Sequence, residues 1–248
     1  KDVMVGSNAP QHTSSTTMCY GQGMPAIAFD LDGTLVDSLQ DIQGAVNRAF
    51  EHRLPQPLTL EETRLLVGHG AKWLVQQLFT RLDGAPPSDD DVEARLVEFQ
   101  QAYRGHTVEH TVPFAGIDDV LRALKDDGVQ LAVATNKPSA HAHPMVGELF
   151  AGVFDVVVGP EDAGCHKPDA AFLQHVQAQL SEPLVALVGD TVVDAGAAAA
   201  ARATGLDVDA VLVRWGMGRG EAFEAQQAVY VDDMLQLMEA LRACLQVS

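Results

Sequence analysis

Short runs that are apolar at nearly every position alternate along this chain with stretches whose apolar residues recur every three or four positions. The first kind occupies 26–29 (Ala-Ile-Ala-Phe), 130–135, 154–159, 184–189 and 209–214. Strands covered on both faces read this way. Between them, residues 116–127 set Val120, Leu121 and Leu124 on one side, and 138–150, 168–180, 194–204 and 233–245 continue as helices. Strand and helix in alternation predict an α/β fold, a doubly wound parallel sheet. Such sheets bind ligands beyond the carboxyl ends of their strands.

Residues 38–112 break the alternation and read as several helices. Ile42, Ala45, Val46, Ala49 and Phe50 form a stripe at helical spacing, with Pro55 just past its end. Thr59 and Glu62 have capping-box spacing. Gly68-His69-Gly70 interrupts the pattern, and 71–79 resumes it. Residues 84–91 form a turn in which Ser88 is the expected N-cap of a helix carrying Val92, Leu96, Phe99 and Tyr103. The expected organisation is an all-α cap domain (38–112) inserted into a core domain (25–37 and 113–248), with hinges near 36–38 and 109–114. Residues 1–24 are polar, rich in Ser and Thr, and lack a signal-peptide pattern, so a disordered leader is expected there.

The polar residues that end the strands carry the chemistry. Asp30 ends the first, Thr135-Asn136-Lys137 the second, and Gly189-Asp190-Thr191 the fourth, with Asp194 in the next helix. His166-Lys167-Pro168 follows the third by a short loop. All fall on one edge of the predicted sheet. Asp30 and Asp32 lie so close that they repel each other unless a positive charge intervenes. A divalent cation held by Asp30 and Asp190 would supply it, and oxygen-only ligands suit Mg²⁺. Lys167 and Thr135 would hold phosphoryl oxygens. A carboxylate facing a bound phosphate can attack phosphorus, and a neighbouring carboxyl can move the protons. Gly33 lets the chain turn sharply after the strand.

The 248 residues carry a formal net charge of −18, which excludes nucleic acid and anionic membranes as main partners. Cys19, Cys165 and Cys244 are scattered and fit no metal-ligand spacing, as in a reducing cytoplasm. No apolar stretch approaches a membrane span. The expected partner is a small phosphorylated metabolite, and the expected assembly a monomer or homodimer.

The motifs DLDGTLVDS (30–38), TNKP (135–138), HKPD (166–169) and GDTVVD (189–194) resemble, in order and spacing, those of the haloacid dehalogenase superfamily of phosphatases. The helical insertion resembles that superfamily's C1 cap, and LLVGHGAKWLVQQLF (65–79) with ATNKP is similar to its phosphoglycolate phosphatase branch. The resemblance implies Asp30 as nucleophile and Asp32 as acid/base. It implies Mg²⁺ on the Asp30 carboxylate, the Asp32 carbonyl and Asp190, with Asp194 a more distant or water-mediated partner. Thr135 and Lys167 would bind phosphate, with Asn136 nearby. Ala170 stands where relatives commonly have proline, and Val192 and Val193 where polar residues are usual; no chemical group is lost. His69 and Lys72, beside the glycine-flanked break, are candidates for reading a carboxylate at the far end of 2-phosphoglycolate. A phosphosugar mutase of the β-phosphoglucomutase type and a phospho-acceptor signalling module remain alternatives.

Overall fold

The computed structural model describes residues 24–224 and 226–246. The expected leader lies outside them, except Met24, which belongs to the first strand. In chain order the core begins with β1 (Met24–Phe29) and a two-residue strand β2 (Val36–Asp37). The helices α1 (Leu39–Ala49), α2 (Leu60–Arg64), α3 (Ala71–Asp83) and α4 (Asp89–Tyr103) follow. The chain returns through β3 (Val112–Pro113) and continues α5 (Ile117–Asp126), β4 (Val129–Ala134), α6 (Ser139–Leu149), β5 (Val156–Val158), α7 (Pro160–Ala163) and α8 (Ala170–Gln179). It closes with β6 (Leu184–Gly189), α9 (Val192–Ala203), β7 (Asp209–Val213), α10 (Glu221–Glu224), β8 (Val229–Val231) and α11 (Met234–Gln246).

The main sheet runs β5-β4-β1-β6-β7-β8, every pair parallel. Alternation along β1 separates two cores. Ile27 and Phe29 pack with Leu121 and Leu124 of α5, Met145 of α6 and Leu241 of α11. Ala26 and Ala28 face the other way, under Phe172 and Val176 of α8 and Ala197, Ala198 and Ala201 of α9. Alanine on both sheet and helix brings α9 close to the strands, a packing role for the alanine run beyond its helix propensity.

The sequence pattern missed β8. Its three residues grade from exposed to buried at the sheet edge, too short a run for a period to register. Local capping sets where α8 and α9 begin. The Asp169 side chain accepts from Ala171 N (2.9 Å), and at the start of α9 the Asp194 carboxylate accepts from Thr191 N (3.0 Å) and Thr191 Oγ1 (2.8 Å). The expected caps at Thr59 and Ser88 are also present.

Helices α1–α4 close on an apolar cluster of their own, including Ile42, Val46, Phe50, Leu74, Phe79 and Phe99. The insert joins the core through a ribbon in which β2 and β3 pair antiparallel, Val36 opposite Pro113 and Asp37 opposite Val112. Asp41 in α1 clamps the returning chain. Its buried carboxylate accepts from His110 N (3.0 Å), Thr111 N (2.9 Å) and Thr111 Oγ1 (2.7 Å), with His110 Nδ1 at 2.9 Å. No helix among the described residues is long and apolar enough to cross a membrane.

Burial alone would raise the Asp41 pKa, but the Thr111 and His110 hydrogen bonds outweigh it and hold the group below 3.8. A carboxyl lowered on folding contributes stability above its unfolded pKa and loses it as pH falls through the folded value. Asp41→Asn should therefore cost about 1–3 kcal/mol at neutral pH, the penalty for unsatisfied buried donors. Urea unfolding should show the gap from wild type closing below about pH 4; a gap independent of pH would contradict the clamp.

Candidate active site

The carboxyl ends of β1, β4 and β6 are neighbours in the sheet, so the loops after them meet. Asp30 follows β1, and its backbone is fixed by Asp30 N donating to Val188 O (2.8 Å). The turn closes with Leu35 N and Val36 N both donating to Leu31 O (3.0 and 3.1 Å). Gly33 sits inside this turn at φ +89°, and a Cβ there would stand 2.3 Å from Asp190 Oδ2. Glycine is required on both counts. The backbone of Gly216, beyond β7, presses on Asp190 from another side; its Cβ would lie 2.4 Å from that of Asp190.

Asp30, Asp190 and Asp194 each bring a carboxylate oxygen within 4.8 Å of the others, all three buried. Lys167 is the counter-charge. Its buried ammonium lies 2.6 Å from Asp194 Oδ1 and 3.0 Å from Asp30 Oδ1. The contact with Asp194 is a hydrogen bond; that with Asp30 is an ion pair without hydrogen-bond alignment, so Asp30 Oδ1 is buried with no hydrogen-bond partner. Asp190 accepts from Met217 N (2.6 Å) and Thr34 Oγ1 (3.3 Å). Burial first, then the neighbouring carboxylates, lift the Asp190 pKa well above the usual carboxylate range. Burial likewise pushes Asp30 up to about 6, against the pull of Lys167 and with a further push from Asp194. For Lys167, attraction to Asp194 and Asp30 outweighs desolvation and raises the pKa. A buried carboxylate oxygen that Lys167 faces without an aligned hydrogen bond, crowded by other carboxylates in an oxygen-only donor set, fits a hard divalent cation.

The neighbouring residues divide by what they touch. Asn136 spends its amide on Lys167: Nδ2 donates to Lys167 O (3.0 Å), and Oδ1 accepts from Lys167 N (2.8 Å). It orients the lysine loop. Asp194 carries Lys167 on one oxygen and caps α9 with the other, accepting from Thr191 N (3.0 Å) and Thr191 Oγ1 (2.8 Å). Thr135 Oγ1 accepts from Lys137 N (3.1 Å), and among the described residues nothing takes its hydroxyl proton. Asp32 accepts from Ser38 Oγ (2.5 Å) and from Lys137 Nζ on both oxygens (2.9 and 3.1 Å). By sequence Lys137 falls at the end of the second strand and carries no assigned role. It follows Thr135 by two positions, so its alternation with the strand-end hydroxyl was the available signal.

An open cleft of about 550 Å³, part of it continuous with solvent, lies over Asp30, Asp32 and Thr135, while Lys167, Asp190 and Asp194 are not among its lining residues. Asp30, Asp32, Thr135, Asn136 and Lys137 line one side; Ile42, Leu66, Leu74, Phe99 and Tyr103 line the insert's side. The glycine-flanked break reaches the core: a Cβ on Gly68 would stand 2.9 Å from Thr191 Cγ2. His69 stacks on Trp73 (centroids 4.4 Å apart), and desolvation lowers its pKa against the opposing field of Asp194. Neither His69 nor Lys72 lines the cleft. Lys72 is exposed and paired with Glu93 at 2.6 Å, because α3 turns it toward α4 rather than the core. The placement gives the expected substrate contact of Lys72 no support.

The doubly wound sheet thus gathers three carboxylates and a buried lysine at its carboxyl edge. The family model described as haloacid dehalogenase-like hydrolase matches residues 27–211, and the chain belongs to that family. It is 35% identical over 179 residues to a phosphoglycolate phosphatase of Cereibacter sphaeroides strain ATCC 17025, covering 72% of this chain and 82% of that protein. It is 34% identical over 217 residues to a phosphoglycolate phosphatase of Pseudomonas putida, covering 86% and 78% respectively. A crystal structure from Lactobacillus delbrueckii subsp. bulgaricus superposes with a TM-score of 0.79 at 28% identity, covering 89% of this chain and 99% of that one. CbbY from Rhodobacter sphaeroides, crystallised with phosphate, shares the fold at a TM-score of 0.70 and 22% identity, covering 90% and 99%.

Lys167→Met should leave the Asp30, Asp190 and Asp194 carboxylates without their buried counter-charge. Unfolding free energy should drop by about 3–5 kcal/mol, as for breaking a buried pair. Lys167→Arg, which keeps the charge, should lose less. Denaturant melts of the two variants at one pH check this, and equal stabilities would remove Lys167 as the electrostatic keystone.

Proposed function

We propose that the protein is a Mg²⁺-dependent phosphomonoesterase working through an aspartyl-phosphate on a small phosphorylated metabolite, with 2-phosphoglycolate as substrate. The observation that carries the reading is Asp30 Oδ1, buried on the cleft floor without a hydrogen-bond partner, beside Lys167 and Asp190. Asp30 and Asp190 would hold the cation, with the Asp32 carbonyl. The cation supplies Lewis-acid charge neutralisation at a phosphoryl oxygen. The curated relatives' activity supports the substrate.

In the first step Asp30 attacks phosphorus. An O–P bond forms, the bond to the substrate alcohol breaks, and Asp32 gives the alcohol oxygen a proton. In the second step Asp32 takes a proton from water as its oxygen attacks the aspartyl-phosphate, releasing phosphate and restoring Asp30. Thr135 donates its free hydroxyl proton to a phosphoryl oxygen, and Lys167 balances the charge on Asp30 and the phosphoryl group. Phosphate-monoester hydrolysis needs up to about 10²¹-fold acceleration. Acid–base help supplies about 10²–10⁴ of that, so charge neutralisation and positioning must supply the larger part.

Asp30→Asn should abolish turnover while folding normally, and excess chelator should stop the wild type until Mg²⁺ is restored. Residual turnover by folded Asp30→Asn would remove the nucleophile assignment; chelator without effect would remove the metal. Asp32→Asn should lose roughly 10²–10⁴ on 2-phosphoglycolate. On p-nitrophenyl phosphate, whose leaving group needs little protonation, it should give a burst of nitrophenol as phosphoenzyme accumulates. Conversion of β-glucose 1-phosphate to glucose 6-phosphate without free phosphate would favour the mutase instead.

A further inference from the structure

Both ends of the helical insert reach the Asp32 carboxylate. Ser38, the N-cap of α1, donates to Asp32 Oδ1. Tyr103, the last residue of α4, accepts from Lys137 Nζ at 2.8 Å, and that same Nζ donates to both Asp32 oxygens. An ammonium has three N–H donors. Here Asp32 and Tyr103 take all three, so Lys137 is committed to Asp32 rather than left to bind an anion of the substrate. Tyr103 is built in firmly. It is 2% exposed, stacks on Phe99 (centroids 5.8 Å, planes 15° apart) and meets His141 edge-on at 5.1 Å. Its ring face also lies 4.7 Å from the Lys137 ammonium. The side chain of Lys137 is 3% exposed and that of Asp32 15%, so water does little to replace these partners.

We propose that Tyr103 is a positioning residue for the reaction: through Lys137 it fixes the Asp32 carboxyl where proton transfer needs it, so the insert contributes to acid–base chemistry as well as to the cleft wall. The proposal rests on the phosphomonoesterase reading. Removing the phenol oxygen frees one ammonium donor, and the ammonium shifts with Asp32 attached. A displacement of about 1 Å at a reacting group can cost about a hundredfold in rate. Phenylalanine keeps the ring, its stacking and the cation–π contact, so only the hydrogen bond is lost.

The experiment measures the single-turnover rate of leaving-group release, and the substrate concentration that half-saturates it, for Tyr103→Phe and Lys137→Arg on 2-phosphoglycolate and on p-nitrophenyl phosphate, with thermal melts alongside. For Tyr103→Phe the expected result is a roughly tenfold slower single-turnover release of glycolate from 2-phosphoglycolate, little change in nitrophenol release, whose leaving group needs little protonation, and unchanged half-saturating concentrations for both. Lys137→Arg, with a planar fork in place of a three-donor point, should show the same split more strongly. Wild-type rates of leaving-group release from both substrates would leave Tyr103 as packing only, and equal losses in that step on both would assign it to phosphate binding or folding; either overturns the proposal. Should Tyr103→Phe fail to fold, Lys137→Arg decides: a split between the substrates supports the proposal and equal losses overturn it. A wild-type enzyme releasing phosphate from neither substrate would remove the underlying reading. A working wild type with an unsplit Tyr103→Phe would remove this inference alone.

Discussion

Three buried carboxylates, Asp30, Asp190 and Asp194, meet within 4.8 Å, and the rest of the site exists to make that tolerable. Burial first, and then the neighbouring carboxylates, oppose the ionisation of Asp30 and Asp190 and raise both. Lys167 reaches two of the three. Asn136 holds the backbone of Lys167 from both sides, and Asp194 is fixed in turn by capping α9. The lysine is thus positioned by Asp30 after β1, Asn136 after β4 and Asp194 in the first turn of α9.

The parallel sheet makes this convergence possible. With β1 between β4 and β6, the loops bearing Asp30, Thr135 and Asp190 leave neighbouring strands at the same edge. Glycines then decide how near the loops come. Gly33 and Gly216 lie so close to the Asp190 side chain that any Cβ would collide with it. Arg64 of α2 donates to Gly216 O (3.2 Å), so the same loop that walls in Asp190 also receives the insert. A core substitution there would disturb both the metal-ligand candidate and the seating of the cleft wall.

The fold and the carboxylate cluster were legible because both depend on local patterns. Apolar runs ending in Asp30, Thr135 and Asp190 mark strand ends, and alternation with helices marks the sheet as parallel; the order of its strands comes from the structure. Contacts between distant segments were not legible. The commitment of Asn136 to Lys167, of Lys137 to Asp32 and Tyr103, and of Lys72 to Glu93 depends on how loops and insert dock, and no period in the sequence encodes that docking. The same limit explains β8: its neighbour β7 defines it, while its own three residues carry no pattern.

Charge decides what the cleft can admit. The chain carries a formal net charge of −18, and the walls supply little relief. Lys137 is committed to Asp32, Lys167 to Asp30 and Asp194, and burial lowers the pKa of His141, favouring its neutral form. Four carboxyls, those of Asp30, Asp32, Asp190 and Asp194, therefore face two ammonium groups before any phosphate arrives. A phosphate dianion entering this site alone would add to an existing excess of negative charge in a medium that screens poorly. The divalent cation proposed for Asp30 and Asp190 would restore the balance of the floor, leaving the Thr135 hydroxyl and the Lys167 charge to act on the phosphoryl group. On this account the cation would be needed for binding as much as for the chemical step, and the side chains of Ile42, Leu74 and Phe99 on one wall add to that need because they offer the charge no polar partner.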